Sequence, residues 1–584
     1  MTHSVKTLAC GLILSIVLAP PLALAKTPVA TGTGGAVATI SEKASAAALA
    51  ILNQGGNAVD AAVAAAATLG VTDPFSCGIG GGGFMVVYLA KDKRVITIDH
   101  RETAPASFSP AVFQDNGKPI DFDTAVASGA SVGVPGTVRG WHEALERYGT
   151  MSFKQVLAPA IQVATKGFPV NDTLHGLMVE NEKKFGMFET TSRLYLKDGK
   201  ALPTGAIIKN PDLAKAYREL AAKGYKTFYE GPLARAVAAA VNRPPVTAGS
   251  QVRPGTMSLA DLANYEVRIR QPIRSTYRGY DIYGMPPPSS GGVTVAEALN
   301  ILEGFDLKSM PRANALHLYL EASRLAFADR NAYVADPEYV DAPIEGMLSK
   351  QFAAQRRSLI RADRAAGVVP AGDAFLYEND KSFPLRPQQN MIMREGTHTT
   401  HLTVSDKWGN VVAYTFTIES WGGSGIVVPG YGFLLNNELT DFDFTGPAPN
   451  IPEAGKRPRS SMAPTIAFKD GKPAFTIGSP GGATIITTVL QTIVNYVDLG
   501  MSMDQAIDAP RLSQRNNKET SVEPGFPGTP QAEALEKFGH KWEAKPEEIG
   551  AANAIVFNPD GTVTAVSEGH RHGTGTALVQ KRGH

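Results

Sequence analysis

The chain has 584 residues, 43% of them hydrophobic and 19% charged, with a formal net charge of +1. That length exceeds one ordinary domain and can bury a large core, and the composition is that of a folded globular protein. Near-zero net charge and the lack of any run of five or more basic residues exclude an electrostatic footprint for nucleic acid or an anionic membrane. The expected partner is a small molecule.

At the N-terminus, Lys6 precedes an apolar run that closes on Ala23-Leu24-Ala25. A basic start, an apolar centre and an A-x-A end read as an export peptide over residues 1–25, which places the mature protein in the periplasm or outside the cell. Its removal takes Cys10 away and leaves Cys77 as the single cysteine, so neither a disulfide nor a cysteine-built metal site is expected. Residues 55–70 read as an alanine-rich buried helix, followed by the glycine loop CGIGGGGF (77–84) and a strand from Phe84. Gly78, Gly80 and Gly83 have the spacing of the dinucleotide fingerprint. A helix precedes them and a strand follows, the reverse of what that motif needs, so a tight turn in a packed core is expected instead. A second strand, 95–99, leads into His100-Arg101-Glu102. Residues 135–260 read as largely helical, with further helices over 293–302 and 313–329. Residues 364–398 have few periodic apolar positions and read as an exposed connector. Beyond it come strands 399–405, 411–420, 465–468 and 473–477, then a helix over 483–497. Two strand-rich zones accompanied by helices make the expected class a layered α/β fold.

The stretch GTHTTHLTV, 396–404, opens the second zone. Residues 406–410 read as a five-residue hairpin loop, which sets Ser405 opposite Val411. Carried along at period two, that register brings Thr417 opposite Thr399 and Glu419 onto the same face. A threonine hydroxyl is a weak nucleophile. A cut just before Thr399 would give it its own α-amino group as base, with a pKa of about 7.7–8.0. The same hairpin can equally be a purely structural threonine-rich pair. A metal reading of His398 and His401 is disfavoured, because an i, i+3 pair on an extended segment points to opposite faces and no HExxH or cysteine partner accompanies it. His570 and His572 read as solvated.

In chain order, GGNAVDAAVAAAATLGV, GIGGGGFMVVY, HRETAPA, GVPGTVRGW, PPPSSGG, FADRNAYVADPEYV, TTHLTVSDKWGNVVAYTFTIES, LLNNELTDFD, KRPRSSMAPT and IGSPGGATIITTVLQ resemble the γ-glutamyltransferase (glutathione hydrolase) family. The resemblance covers nearly all of the chain after the export peptide. It implies an N-terminal-nucleophile hydrolase with an αββα sandwich, formed jointly by a large subunit (26–398) and a small subunit (399–584). The two would arise when a precursor cuts itself between His398 and Thr399.

By position, Thr399 resembles the processing residue and nucleophile, and Thr417 the threonine that positions its hydroxyl. Gly481 and Gly482 resemble the backbone donors of the oxyanion hole. Arg101 resembles the carboxylate clamp, with Ser460 and Ser461 its hydroxyl partners. Glu419, Glu438 and Asp441 resemble the groups that hold the α-ammonium of a γ-glutamyl substrate. Glu419 stands where many members have asparagine, and the short segment between Asp441 and Ser460 lacks the lid loop of some relatives. Both features resemble the lidless Bacillus-type members. No metal or organic cofactor is implied. The activity implied is passage of a γ-glutamyl group, from an amide such as glutathione, to water, amino acids or peptides. A cephalosporin or glutaryl acylase on the same scaffold is the near alternative; a glutaryl group has no amine, so three acidic residues argue against it. A non-catalytic exported solute-binding protein is the distant one, and it would remain a single intact chain.

Overall fold

A computed structural model describes residues 28–379, 398–572 and 575–581; the expected export peptide lies outside them. Beside short two-stranded ribbons, fourteen strands build the core: β1 (Val29–Gly32), β2 (Ala36–Thr39), β3 (Gly82–Leu89), β4 (Arg94–Asp99), β5 (Arg268–Arg270), β6 (Ile273–Tyr277), β7 (Tyr280–Gly284), β8 (Thr400–Ser405), β9 (Val411–Thr417), β10 (Thr465–Lys469), β11 (Lys472–Gly478), β12 (Asn553–Phe557), β13 (Val563–Ser567) and β14 (Thr576–Val579). They form two seven-stranded sheets, ordered β5-β4-β3-β9-β8-β2-β14 and β1-β13-β12-β11-β10-β7-β6. Every strand pairing in both sheets is antiparallel.

Both faces of each sheet are covered, which is why the strands read as nearly continuous apolar runs. Along β3, Met85 and Val87 pack with the first group of helices. The alternate residues, Val86 and Tyr88, meet Ile466 and Phe468 of the other sheet. Helices α1 (Glu42–Asn53) and α2 (Ala58–Thr72) cover the first sheet, while α3 (Gly291–Leu302) and α5 (Thr484–Val497) cover the second, with α4 (Arg312–Tyr333) packed on α3. The layers therefore run α, β, β, α. The start of α2 is set by a capping box: Asn57 Oδ1 accepts from Val59 N and Asp60 N, and Asp60 accepts from Asn57 N. That box moves the helix three residues past its expected start at 55.

Each sheet mixes strands from before and after the 398–399 junction. A break there would leave two pieces still sharing two sheets. The segment expected to be an exposed connector, 364–398, is docked over its first part. Val369, Ala371, Ala374 and Phe375 are buried, and Gly372 N donates to Asp329 Oδ1 at 2.5 Å. Its apolar residues follow neither helical nor strand spacing, so periodicity does not reveal them. The remainder, 380–397, lies outside the described residues. Among the described residues no helix is long and apolar enough to cross a membrane.

Candidate active site

Strands β8 and β9 pair with Thr400 opposite Phe416 and Ser405 opposite Val411, the register expected from the loop length. Asp406 holds that loop, accepting from Trp408 N at 2.9 Å and Asn410 N at 3.0 Å. Its second carboxylate oxygen accepts from Ala58 N at 2.9 Å, tying the hairpin to the start of α2. The register brings Thr399 Oγ1 within 3.3 Å of Thr417 Oγ1 and 2.5 Å of the His398 carbonyl oxygen. The Thr417 hydroxyl donates to the same oxygen at 3.0 Å and accepts from Glu419 N at 2.8 Å. Two hydroxyls thus converge on the peptide carbonyl that precedes Thr399.

The glycine loop lies beneath this hairpin. A side chain at Gly81 would collide with the Thr417 carbonyl, and one at Gly82 with the Glu102 carboxyl. Glycine there lets the backbone run directly under the site.

A single pocket is lined by His398, Thr399, Thr417, Arg101, Glu419, Glu438, Asp441, Ser460, Ser461 and Gly482. Gly481 faces the adjoining cleft instead. No residue between 442 and 459 lines the pocket. Arg101, just past β4, is fixed by donation of its backbone N–H to Asp99 Oδ1 at 3.0 Å. Its guanidinium, expected as a carboxylate clamp, is engaged by Glu438, by Asp441 Oδ2 at 2.6 Å, and by the carbonyls of Pro458 and Arg459 at 3.1 and 2.9 Å. An incoming carboxylate would share it with these groups. The Arg330 guanidinium, buried in α4, donates to Ser461 Oγ at 2.7 Å and Ser290 Oγ at 2.8 Å, holding the serine loop. Ser460 Oγ accepts from Met462 N at 3.2 Å.

Acid outweighs base in this pocket. Burial pushes Glu102 up to about 8, with Arg101 pulling it back. Burial also lifts Glu419 and Glu438 well above the carboxylate range; Asp441 and Glu438 add to it for Glu419, while Arg101 opposes it for Glu438. Glu419 Oε1 is buried and no hydrogen bond among the described residues reaches it, while Glu438 and Glu102 pair side chain to side chain. Crowding carboxyls in so little water favours their protonated forms. Glu419 also sits at φ +81°, a left-handed conformation that costs a non-glycine residue on the order of 1–2 kcal/mol. Its carboxylate is held by Asn437 Nδ2 and by Ser420 Oγ at 2.5 Å.

Gly481 and Gly482 take φ of +131° and +54° just before α5. Neither backbone N–H has an acceptor among the described residues. Bare amides at a helix start suit a developing negative charge.

Sequence reasoning missed Glu102, Arg330, Asn437 and Trp421. The signal for Asn437 was the pair Asn436-Asn437, which is wholly buried and must therefore be bonded. His401 and His398 share no site: His401 Nδ1 lies 2.8 Å from Thr415 Oγ1, whereas the His398 ring stacks on Trp421 at 3.7 Å. His570 and His572, expected in solvent, are partly exposed, at 27% and 28%. Arg571 is buried against Glu523 at 2.7 Å, and His572 borders the cleft beside His398. Its partners are far away in sequence, so the local charge pattern gave no warning.

A γ-glutamyltranspeptidase family profile matches residues 44–578. The chain is 40% identical over 555 residues to the glutathione hydrolase proenzyme of Bacillus subtilis (strain 168), covering 94% of this chain and 92% of that protein. It is 38% identical over 558 residues to the acylase ACY 1 proenzyme of Pseudomonas sp. (strain SE83), covering 94% of each. Among solved structures, the cephalosporin acylase from Bacillus halodurans matches with a TM-score of 0.84 at 27% identity, over 98% of this chain and 100% of that one. The αββα sandwich is accordingly the N-terminal-nucleophile hydrolase fold. With the profile spanning nearly all of its length, the chain belongs to the γ-glutamyltranspeptidase family of enzymes.

Proposed function

We propose that the protein is a self-processing γ-glutamyl hydrolase and transpeptidase with Thr399 as nucleophile. The observation that carries this reading is the convergence of the Thr399 and Thr417 hydroxyls on the His398 carbonyl, at the mouth of a buried pocket rich in acid around one guanidinium. In the precursor, Thr399 Oγ attacks the His398 carbonyl carbon. The bond to Thr399 N breaks as the hydroxyl proton passes to that nitrogen, leaving an ester. Water hydrolyses the ester, giving His398 a carboxylate and Thr399 a free α-amine and hydroxyl. The products are a large subunit of 26–398, once an export peptide of 1–25 has gone, and a small subunit of 399–584.

In the processed enzyme the α-amine takes the Thr399 hydroxyl proton as Oγ attacks a γ-glutamyl carbonyl. The Gly481 and Gly482 amides face the oxyanion, each such donor typically contributing about 10²–10³ in rate. The amine leaves with the proton. Water, or the amine of an amino acid or peptide, then attacks the ester and returns a proton to Thr399. Arg101, Ser460 and Ser461 take the substrate α-carboxylate. Glu419, Glu438 and Asp441 take the α-ammonium, whose charge supplies what the unliganded pocket lacks. Small γ-glutamyl amides such as glutathione fit that description, as does the name of the Bacillus subtilis relative.

The acylase relatives favour a second reading, in which the acyl group is glutaryl. Intact mass, N-terminal sequencing and paired assays separate the possibilities. Expected are a fragment beginning Thr399-Thr400-His401 and faster turnover of γ-glutamyl anilide than of glutaryl anilide. Thr399→Ala should remain one inactive chain; if it still splits or turns over, the reading fails. Preference for the glutaryl substrate would favour the acylase instead.

A further inference from the structure

We infer that the His398 ring, in the uncut chain, occupies the subsite that later receives the amine side of the scissile bond, and that Trp421 makes this subsite select flat aromatic groups. The inference rests on the γ-glutamyl-transfer reading above. His398 is the one residue that lines both the acid-rich pocket and the adjoining cleft of about 840 Å³. Its imidazole lies nearly parallel to the Trp421 indole, with ring centroids 3.7 Å apart at 22°. His572 stands on a third side, 6.4 Å from the His398 ring and 6.0 Å from Trp421.

The backbone that carries the indole is fixed in place. Lys184 Nζ donates to the Trp421 carbonyl at 2.6 Å and to the Gly423 carbonyl at 3.1 Å. Gly422 N donates to Phe75 O at 2.8 Å, and Gly422 takes φ +75° against the Phe185 ring, where any side chain would collide. The imidazole has a different attachment: the peptide bond to Thr399 tethers it. Burial, with His572 and Lys184, holds it well below the usual histidine range, so an uncharged ring stacks on an uncharged ring.

Self-cleavage removes the tether and places a new carboxylate beside Glu419, Glu438 and Asp441. Ionised, that carboxylate gains hydration by leaving a poorly solvated site whose one guanidinium is already engaged by Glu438 and Asp441. The departing ring leaves the indole face open at the junction of pocket and cleft. With a γ-glutamyl group seated at Arg101, the amide nitrogen points to this junction. A ring on that nitrogen, or on an incoming amine, can replace the imidazole, and the rest of the molecule extends into the cleft past Asp172, Glu180 and Lys545. The class selected is γ-glutamyl arylamides and aromatic amine acceptors over small aliphatic ones.

The test uses fully processed enzyme and two substrates, γ-glutamyl anilide and γ-glutamyl methylamide. Aromatic pairing of about 0.5–1.5 kcal/mol corresponds to about 2- to 13-fold. Trp421→Ala should therefore lower the ratio of kcat/KM for the anilide to that for the methylamide by that factor, mainly through the KM of the anilide. Trp421→Phe should restore most of the loss. Should Trp421→Ala fail to process, the wild-type enzyme decides. Given a γ-glutamyl donor, it should transfer to histidine amide and phenylalanine amide over alanine amide by a similar factor. Equal losses on both substrates, or no aromatic preference in wild type, overturns the proposal. A wild-type enzyme that turns over neither substrate overturns the γ-glutamyl reading itself, a distinct result.

Discussion

On one side of Thr399, Arg101 is enclosed by Glu102, Glu419 and Glu438, each at most 3% exposed, with Asp441 at the edge. On the other side, the cleft carries its charges on side chains in water, such as Lys545 and Glu547, 87% and 67% exposed. Two unit charges 4 Å apart interact by about 1 kcal/mol in water and about 4 kcal/mol near a protein surface. The enclosed side can therefore discriminate sharply by charge, and the open side cannot. Strictness toward the group that is enclosed and tolerance toward the group in the cleft is what such an asymmetry produces. The buried carboxyls also tie the pocket's acidity to folding, which the cleft charges do not.

Four measurements would break or sharpen that contrast. Arg101→Met leaves the pocket acids without their cation, and breaking such a pair typically costs about 3–5 kcal/mol. The expected loss in kcat/KM for γ-glutamyl anilide is about 10²–10³-fold in whatever fraction processes, read by steady-state assay. Glu419→Gln removes one of the proposed ammonium partners and should cost about 10- to 100-fold on γ-glutamyl anilide. It should leave any turnover of glutaryl anilide unchanged; an equal loss on both would show that the acids do not read the amine.

The third measurement is stability against pH. Glu102 ionises near 4.5 when unfolded and is pushed up to about 8 by burial in the fold. Between those values the folded chain keeps a proton that the unfolded chain has lost. Its contribution is complete below about 4.5 and is lost as pH rises through about 8. Thermal unfolding of Thr399→Ala, which keeps the pocket unliganded, should show stability falling as pH rises over this window, by about 1.4 kcal/mol per pH unit from Glu102 alone. Glu102→Gln should flatten that slope. The smallest effect is expected in the cleft, where Lys545→Ala or Glu547→Ala should change kcat/KM by no more than about twofold, since exposed pairs contribute about 0–1 kcal/mol.

Much of the site was legible because its geometry is local. Five residues between two apolar runs set the hairpin register, and that register alone carried Thr417 to Thr399. The order of helix, glycine loop and strand ruled out a dinucleotide turn. What stayed hidden depended on distant partners. Arg330 reads as one more charge on a long helix until its serine loop is in place. Trp421 reads as a lone aromatic, and His398 has no assignable role until the two rings are seen stacked. Segment 364–379 looked exposed because a docked coil has no period to detect.

Thr399, its hairpin and the strand and helix zones follow from residue spacing, since turns and pleats act over a few residues. The tertiary structure alone decided that Arg101 meets Glu438 and Asp441, 337 and 340 residues away. It also decided that the pocket is over-acidic and that His398 lies between pocket and cleft. Those facts depend on which charges are carried out of water together, and only the packing of the two shared sheets determines that.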